Sequence, residues 1–384
     1  MAQDRGEQTQ LVFSELLGRR VRAGSWDDQK ISTYHKIREA LVAERWDTAA
    51  ALANYFVDEA NVCYSLYRQW IPDLNNYLRA HEVAPGDLDA INARITALLT
   101  LPDGRPWHAQ RQWDSLLDAV QRFVGLAHRE RADEALAQLD QFKETWRQCH
   151  DRDVDHIYGL MSEIKERFGE DAVGDALNVL LGPWFATRYE RFDVDKHPWP
   201  EALDMLVTLT FEAMRGHLVG PERTGDIEFV ETEDRVIVRF DPCGSGGRTV
   251  RGDWVEETPP RMEPPYGWRV SEEERSWNHY TKGVCLYCSH CIVLTEEMPI
   301  AHFGYPVRVV DPPVYPDTDR DPAVRQKCQW QMFKDPTAVP EEYYRRVGRT
   351  KPAAFGSQAN GKAPGEHGDE TPDRSPGRSG DSAG

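Results

Sequence analysis

The segment GVCLYCSHC, Gly283 to Cys291, holds three of the chain's seven cysteines at intervals of three, with a histidine between the last two. Such clustering points to a thiolate-bound metal, a reactive thiol or a disulfide. Thiolate is a soft ligand and zinc takes four donors in a tetrahedron. Cys285, Cys288 and Cys291 supply three, and Cys243, in FDPCGSGGR directly after a β-rich run, is the best distant fourth. If Cys288 opens a helix, Cys291 lies about one turn further along the same broad face. Four thiolates close the shell and make the zinc structural. Three leave a position for water or substrate and make it catalytic, with His290, His279 and His302 as substitute ligands. An iron–sulfur cluster also uses four thiolates, but the run does not continue to the C-x3-C-P of ferredoxins. Zinc is therefore the expected metal and a cluster the lesser alternative. Without metal, Cys288 would be a nucleophile activated by a helix N-terminus and by His290. The plain alternative is buried thiols with no chemistry.

Other residues around the cluster carry weaker signals. In PCGSGGR the backbone N–H groups could form an anion nest, with Arg248 gripping a carboxylate, or the glycines could merely turn the chain. Neither G-x-x-x-x-G-K-[ST] nor G-x-G-x-x-G occurs, so this is no nucleotide loop. Trp254, Tyr266, Trp268, Trp277, Tyr280, Tyr287 and Phe303 could wall a small-molecule pocket, Trp277 with His279 beside the substrate, or keep water from a metal. In HDRDVDH, Asp151 and Asp155 share a helix face. A metal–carboxylate site there lacks the Glu-x-x-His pairs of a di-iron bundle, so a solvated or partner-facing stripe is expected. Cys149 and His150 are read as neighbours on different faces of one helix. Met214, Arg215 and His217 finish a helix near Gly220.

The elements that must position these residues follow from the pattern. The chain has 384 residues, 40% hydrophobic and 29% charged, enough for a sizeable core. Its net charge of −18 argues against a partner held by nucleic-acid phosphates. No run approaches the roughly 18 apolar residues of a membrane span, and MAQDRGEQTQ lacks a signal-peptide profile. The expectation is a cytoplasmic protein with reduced thiols and no membrane partner. Residues 1–150 read as a helical domain, with Ser32 as an N-cap, a helix from Trp46 to Trp70, another in PGDLDAINARITALLTL, a turn at Leu101 to Trp107 and a helical stretch from Trp113 to Cys149. Further helices follow, broken at Gly169 and Gly182. Strands are expected only after Pro221: Ile227 to Glu231, Arg235 to Phe240, Val307 to Val310 and Lys327 to Lys334. A short helix is expected over Cys288 to His302. Residues 151–350 form a cysteine-rich α+β domain, and 351–384, without aromatics beyond Phe355, a disordered tail.

From about Asp155 to Lys334 the order of elements resembles a known family. It runs through a helix ending in ERFGEDAVGDAL, the hairpin DIEFVETEDRVIVRF, a cysteine directly after its strand and a helix with a cysteine near its start. The last strand opens with a cysteine, KCQWQMFK. This pattern resembles the L-2-amino-thiazoline-4-carboxylic acid hydrolase-like family and, behind it, vinyl-reductase-type ligand-binding domains. The resemblance implies an antiparallel sheet backed by helices with a small-molecule or metal site between them. It implies hydrolysis of a small cyclic carbon–nitrogen compound, or ligand sensing. By motif position Cys243 and Cys288 are the family's cysteines and Cys328 its strand cysteine. The glycine-rich CGSGG and the extra Cys285 and Cys291 depart from the pattern and favour a metal.

The combined expectation is an enzyme with zinc held from the pool Cys243, Cys285, Cys288 and Cys291. Cys288, His290 and His302 would be catalytic, and Arg248, Trp277 and His279 would bind a carboxylate-bearing substrate. A non-catalytic sensor with a structural zinc is the alternative, and a thiol redox enzyme the next. The N-terminal helices would serve a protein partner or a homo-oligomer.

Overall fold

A helix that should have ended near residue 149 instead runs on to Phe168, and the architecture is organised around it. In the computed structural model, which describes residues 10–353 apart from 16, 318, 320, 322 and 323, this helix is α6, Ala132–Phe168. Before it come the hairpin β1 (Gln10–Ser14) and β2 (Arg19–Ala23), then α1 (Trp26–Gln29), α2 (Thr33–Val42), α3 (Trp46–Ala80), α4 (Pro85–Ala97) and α5 (Ala109–Ala127). After it come α7 (Glu170–Arg188), α8 (Trp199–Gly216), β3 (Glu228–Glu231), β4 (Arg235–Phe240) and α9 (Gly246–Arg251). The chain closes with α10 (Ser289–Ile292), a π-helical turn (Val293–Glu297), α11 (Met298–Phe303), β5 (Val309–Asp311), β6 (Cys328–Phe333) and α12 (Glu341–Arg345). The tail expected to be disordered lies outside the described residues beyond 353.

The mixed helix-and-sheet class is as expected, an α+β protein with two antiparallel sheets. Local signals explain many boundaries. The Ser32 side chain accepts from the His35 N–H and starts α2. Gly169, at φ 83°, ends α6 where a side chain would be strained. Gly182 does not break α7. A helical glycine costs only about 1 kcal/mol, and buried Leu180, Leu181 and Phe185 hold the helix to the core. The hairpin at the N-terminus was not expected. Its second strand holds three arginines and the pair shows little apolar alternation; Phe13 stays exposed while Arg22 is buried against the Ile31 carbonyl and Thr33.

The four-stranded sheet has the order β3-β4-β6-β5, all antiparallel. Along β4, Val236, Val238 and Phe240 are buried and the residues between them half-exposed, the period of a one-sided sheet. The register sets Phe240 opposite Cys328 and Val238 opposite Trp330. Cys328 therefore lies on the buried face, beside the turn that carries Cys243. On that face α8 packs, with the Thr210 hydroxyl against Met332 Sδ and the Trp199 indole N–H on the Phe333 carbonyl.

The expected boundary at residue 150 falls in mid-helix. One hydrophobic cluster runs from Tyr34 to Val347 and includes α3, α6, α8 and the sheet. No described helix is long and apolar enough to cross a membrane.

Candidate active site

From Cys149 to Ser162 every residue of α6 is buried, including Asp151, Arg152, Asp153 and Asp155. The HDRDVDH stripe is thus not solvated, and the reason lies 70 to 110 residues further on. Asp151 accepts from Arg147 at 2.9 Å and from Arg223 at 2.7 Å. Asp155 accepts from Arg248 at 2.5 Å and from Arg261 at 2.9 Å. Glu256 takes Arg147 at 2.7 Å and Arg152 at 2.5 Å. Asp253 lies 3.7 to 3.9 Å from Arg147, Arg223 and Arg248. Burial alone would raise the Asp151 carboxyl, but Arg223, Arg248 and Arg147 hold it well below the usual carboxylate value.

This anion orients two imidazoles. Asp151 Oδ1 lies 2.9 Å from His150 Nδ1, and His150 Nε2 lies 2.8 Å from His217 Nδ1. An ionised carboxylate can only accept, so His150 carries its proton on Nδ1 and accepts on Nε2. His217 then donates from Nδ1 and keeps a lone pair on Nε2; this tautomer is assigned from the hydrogen-bond chain. Burial pushes both imidazoles below their ordinary value, His217 the further, so both are neutral at pH 7. The Tyr67 hydroxyl sits 3.2 Å from His150 Nε2 and 3.3 Å from His217 Nδ1, and receives the Tyr287 hydroxyl at 3.3 Å. The Cys63 sulfur joins them: the ligand atoms of Cys63, His150 and His217 lie within 4.8 Å of one another.

His217 lines two adjoining cavities. The larger has a volume of about 340 Å³, in the range of small-molecule sites, and a mostly apolar wall with Trp70, Leu206, Leu294 and Trp330. Four guanidiniums and one carboxylate line it, in a chain of net charge −18. Arg19 is paired with Glu212 at 2.6 Å. Among the described residues, Arg188, Arg191 and Arg308 have no carboxylate within 4.0 Å. Arg188 lies over the Trp184 ring, and Arg308 over the Trp330 ring at 4.7 Å. Arg308 is held by the Tyr189 hydroxyl at 2.7 Å and Thr210 at 3.1 Å, while its buried Nε has no partner. Burial first, then repulsion from Arg188 and Arg19, draws Arg191 below its ordinary value. The wall carries uncompensated positive charge.

The smaller cavity lies behind the floor of the larger and shares Met214, His217, His290, Cys291 and Trp330 with it. Cys243, Cys288, Cys291 and Cys328 all line it. The glycines of CGSGG make this approach possible. A Cβ on Gly246 would stand 2.0 Å from Cys288 Sγ, and one on Gly244 would stand 1.7 Å from the His217 carbonyl oxygen. The loop is not an open anion nest, because Gly246 to Arg251 form α9 and the Gly247 N–H donates to Cys243 Sγ at 3.0 Å. Cys243 is drawn down to about 6, first by the Cys328 thiol hydrogen bond and then by this N–H.

The expected site residues divide accordingly. Cys243, Cys288, Cys291 and His290 share the smaller cavity, and His290 Nε2 lies 3.3 Å from Cys291 Sγ. Cys285 is outside its lining, with Thr249 Oγ1 at 3.5 Å. No three of the clustered thiols gather within 4.8 Å as Cys63, His150 and His217 do. Arg248 is 1% exposed and lines neither cavity, since its guanidinium is taken by Asp155 and the Asp151 carbonyl. His302 stands on exposed α11 against Phe185, its Nδ1 3.0 Å from the Met298 carbonyl. Trp277 packs on Gly174, and His279 Nε2 meets Glu296 at 3.1 Å, both away from the cavities. Cys63, Tyr67, Arg188, Arg191 and Arg308 were not singled out in the sequence, which gives no local signal for them; His150 and His217 were named there, but only as ordinary helix residues.

Compared with models of known protein families, with curated proteins and with solved structures, the chain matches none.

Proposed function

We propose that this protein is an enzyme that takes an amphipathic small-molecule anion, a carboxylate by preference, into the 340 Å³ cavity and hydrolyses a carbon–nitrogen bond in it. The observation that carries the reading is the arginine-lined apolar cavity with His217 in its wall. Arg308, pre-positioned by Tyr189, Thr210 and Trp330, presents its guanidinium charge in the cavity wall to an anionic group. His217, neutral and oriented through His150 by Asp151, is placed to take a proton from water attacking the substrate. The Asp151 charge then stabilises the single imidazolium charge on the His150–His217 pair, as an orienting carboxylate does in other acid–base chains. The bond type comes from the family resemblance of the element order.

A metal at the same place is the second reading, favoured by Cys63 Sγ lying within reach of both imidazoles. Cys63, His150 and His217 are a fitting zinc set, and Asp151 on His150 Nδ1 is the outer carboxylate such sites use. Zinc bound there would supply a water of lowered pKa in place of the His217 base.

The test pairs binding with turnover. Phenylacetate, octanoate and 2-amino-thiazoline-4-carboxylate are titrated against their neutral amides by calorimetry. Carboxylates should bind and amides bind weakly. Arg308→Gln should lower carboxylate affinity about 10- to 100-fold, the loss of one charge-assisted hydrogen bond. Equal binding of acids and amides, or an unchanged Arg308→Gln variant, would sink the anion reading. Turnover of the cyclic carboxylate that survives in His217→Gln would sink the base assignment. Bound zinc lost in Cys63→Ser would favour the metal over the bare relay.

A further inference from the structure

The smaller cavity raises a separate question that the anion site does not answer. Four cysteines from three elements meet on it: Cys243 in the turn after β4, Cys288 and Cys291 at α10, and Cys328 at the start of β6. A tetrahedral zinc with bonds of about 2.3 Å sets its sulfurs about 3.8 Å apart. No three of these sulfurs lie within 4.8 Å of one another, although the same chain draws Cys63, His150 and His217 that close. Cys243 and Cys328 are hydrogen-bonded to each other, but no third sulfur closes on them, so the four do not converge on a point. The space they line is about 40 Å³, where one water needs about 10–15 Å³. Its wall holds no carboxylate and no Lys or Arg; the remaining lining is Met214, Phe240, Tyr287, Val310, Pro312 and Trp330, with Ser245 and the neutral His217 and His290. A hydrated divalent ion finds few hard oxygen donors there. A multi-iron cluster, by contrast, places iron and sulfide between its thiolates, spreads them, and favours an apolar wall.

We propose that Cys243, Cys288, Cys291 and Cys328 hold an iron–sulfur cluster in this cavity, with Cys285 outside the ligand set. The β4–β6 register, Phe240 opposite Cys328, sets Cys328 beside the turn after β4 that carries Cys243. Helix α10 supplies the other two one turn apart. Gly246 has no side chain because its Cβ would strike the Cys288 sulfur, so the ligand loop closes over the cavity. The Gly247 N–H at 3.0 Å from Cys243 Sγ is the kind of donor that stabilises a cluster's thiolate and raises its potential. Cys285 does not line this cavity: its thiol is engaged by Thr249 Oγ1 at 3.5 Å and by the Cys288 thiol. His217, His290 and Cys291 line both cavities, which places the cluster directly behind the anion site.

The full chain is to be purified without oxygen after growth with added iron, and also reconstituted with ferrous iron and sulfide. Iron, zinc and acid-labile sulfide are then counted per chain. The expected result is equal iron and sulfide, about two to four of each, with a broad visible absorption that bleaches on reduction. Cys328→Ser and Cys291→Ser should lose most of both, while Cys285→Ser, checked for folding by circular dichroism, should keep them. One zinc without sulfide, or no metal after reconstitution, would overturn the proposal whatever the variants do. Retention in Cys328→Ser with loss in Cys285→Ser would overturn the ligand set. Carboxylate titration reads the larger cavity independently, so failure of either site leaves the other standing.

Discussion

Asp151→Asn should destabilise the protein by about 3–5 kcal/mol at pH 7, the cost of leaving buried charge uncompensated. The carboxylate is 1% exposed and accepts from Arg147, Arg223 and His150, with Arg248 Nε at 3.6 Å. Asparagine keeps the volume but leaves three buried guanidiniums with one anion fewer. The folded-state pKa of Asp151 lies well below its ordinary value. Its contribution is therefore present in full above the unfolded carboxyl pKa of about 3.9, and is lost as pH falls through the folded value. The gap between wild type and variant, measured as urea midpoints, should be constant from pH 7 to about 5 and shrink below about 4. Asp234→Asn, at an exposed pair with Arg235, should leave the midpoint unchanged. A stable Asp151→Asn protein would mean that the network is not organised around this residue. A gap unchanged at low pH would mean that its charge is not what matters.

Gly244→Ala should cost about 3 kcal/mol, the upper end of ordinary overpacking. Its Cβ would stand 1.7 Å from the His217 carbonyl oxygen and 2.9 Å from the carbonyl carbon. Both neighbours are backbone, so no rotamer relieves the clash. The loop carrying Cys243 must lift from α8, moving His217 and the smaller cavity together. The melting temperature should fall and the buried thiols should react faster with a mild alkylating agent. Gly247→Ala is the comparison, since its Cβ would meet Cys243 Sγ and Pro242 at 3.4 Å, an ordinary contact inside helix α9. That variant should melt near wild type, because helical alanine gains what glycine lacks. Equal effects at the two positions would show that loop rigidity, and not this backbone approach, is being measured.

Several elements were legible because their signals are local. Ser32 caps α2, the strand Arg235–Phe240 alternates along its length, and Gly169 stops α6. The cysteine cluster also marked the right neighbourhood, since Cys243, Cys288 and Cys291 share one cavity with His290. The helix boundary at 149 was misread because HDRDVDH looks polar, and polarity suggests water. Whether a charged stripe is solvated depends on partners that periodicity does not see.

Composition, cap residues and the spacing of apolar and cysteine residues determined the α+β class, most helices and strands, and where the thiols are concentrated. Tertiary structure decided the rest. Arg223, Arg248 and Arg261 fold back onto α6 and turn an apparent surface stripe into a neutralised core. That takes Arg248 away from the cavities, whereas Arg308 stays in the wall of the larger one. Strand register, set by side chains on two distant segments, brings Cys328 beside Cys243. The meeting of His150 and His217, 67 residues apart, depends on the C-terminal end of α8 reaching α6, where the Trp146 indole N–H donates to the Gly216 carbonyl. Such long-range approach is governed by packing and charge balance over the whole chain, and no short stretch of sequence contains it.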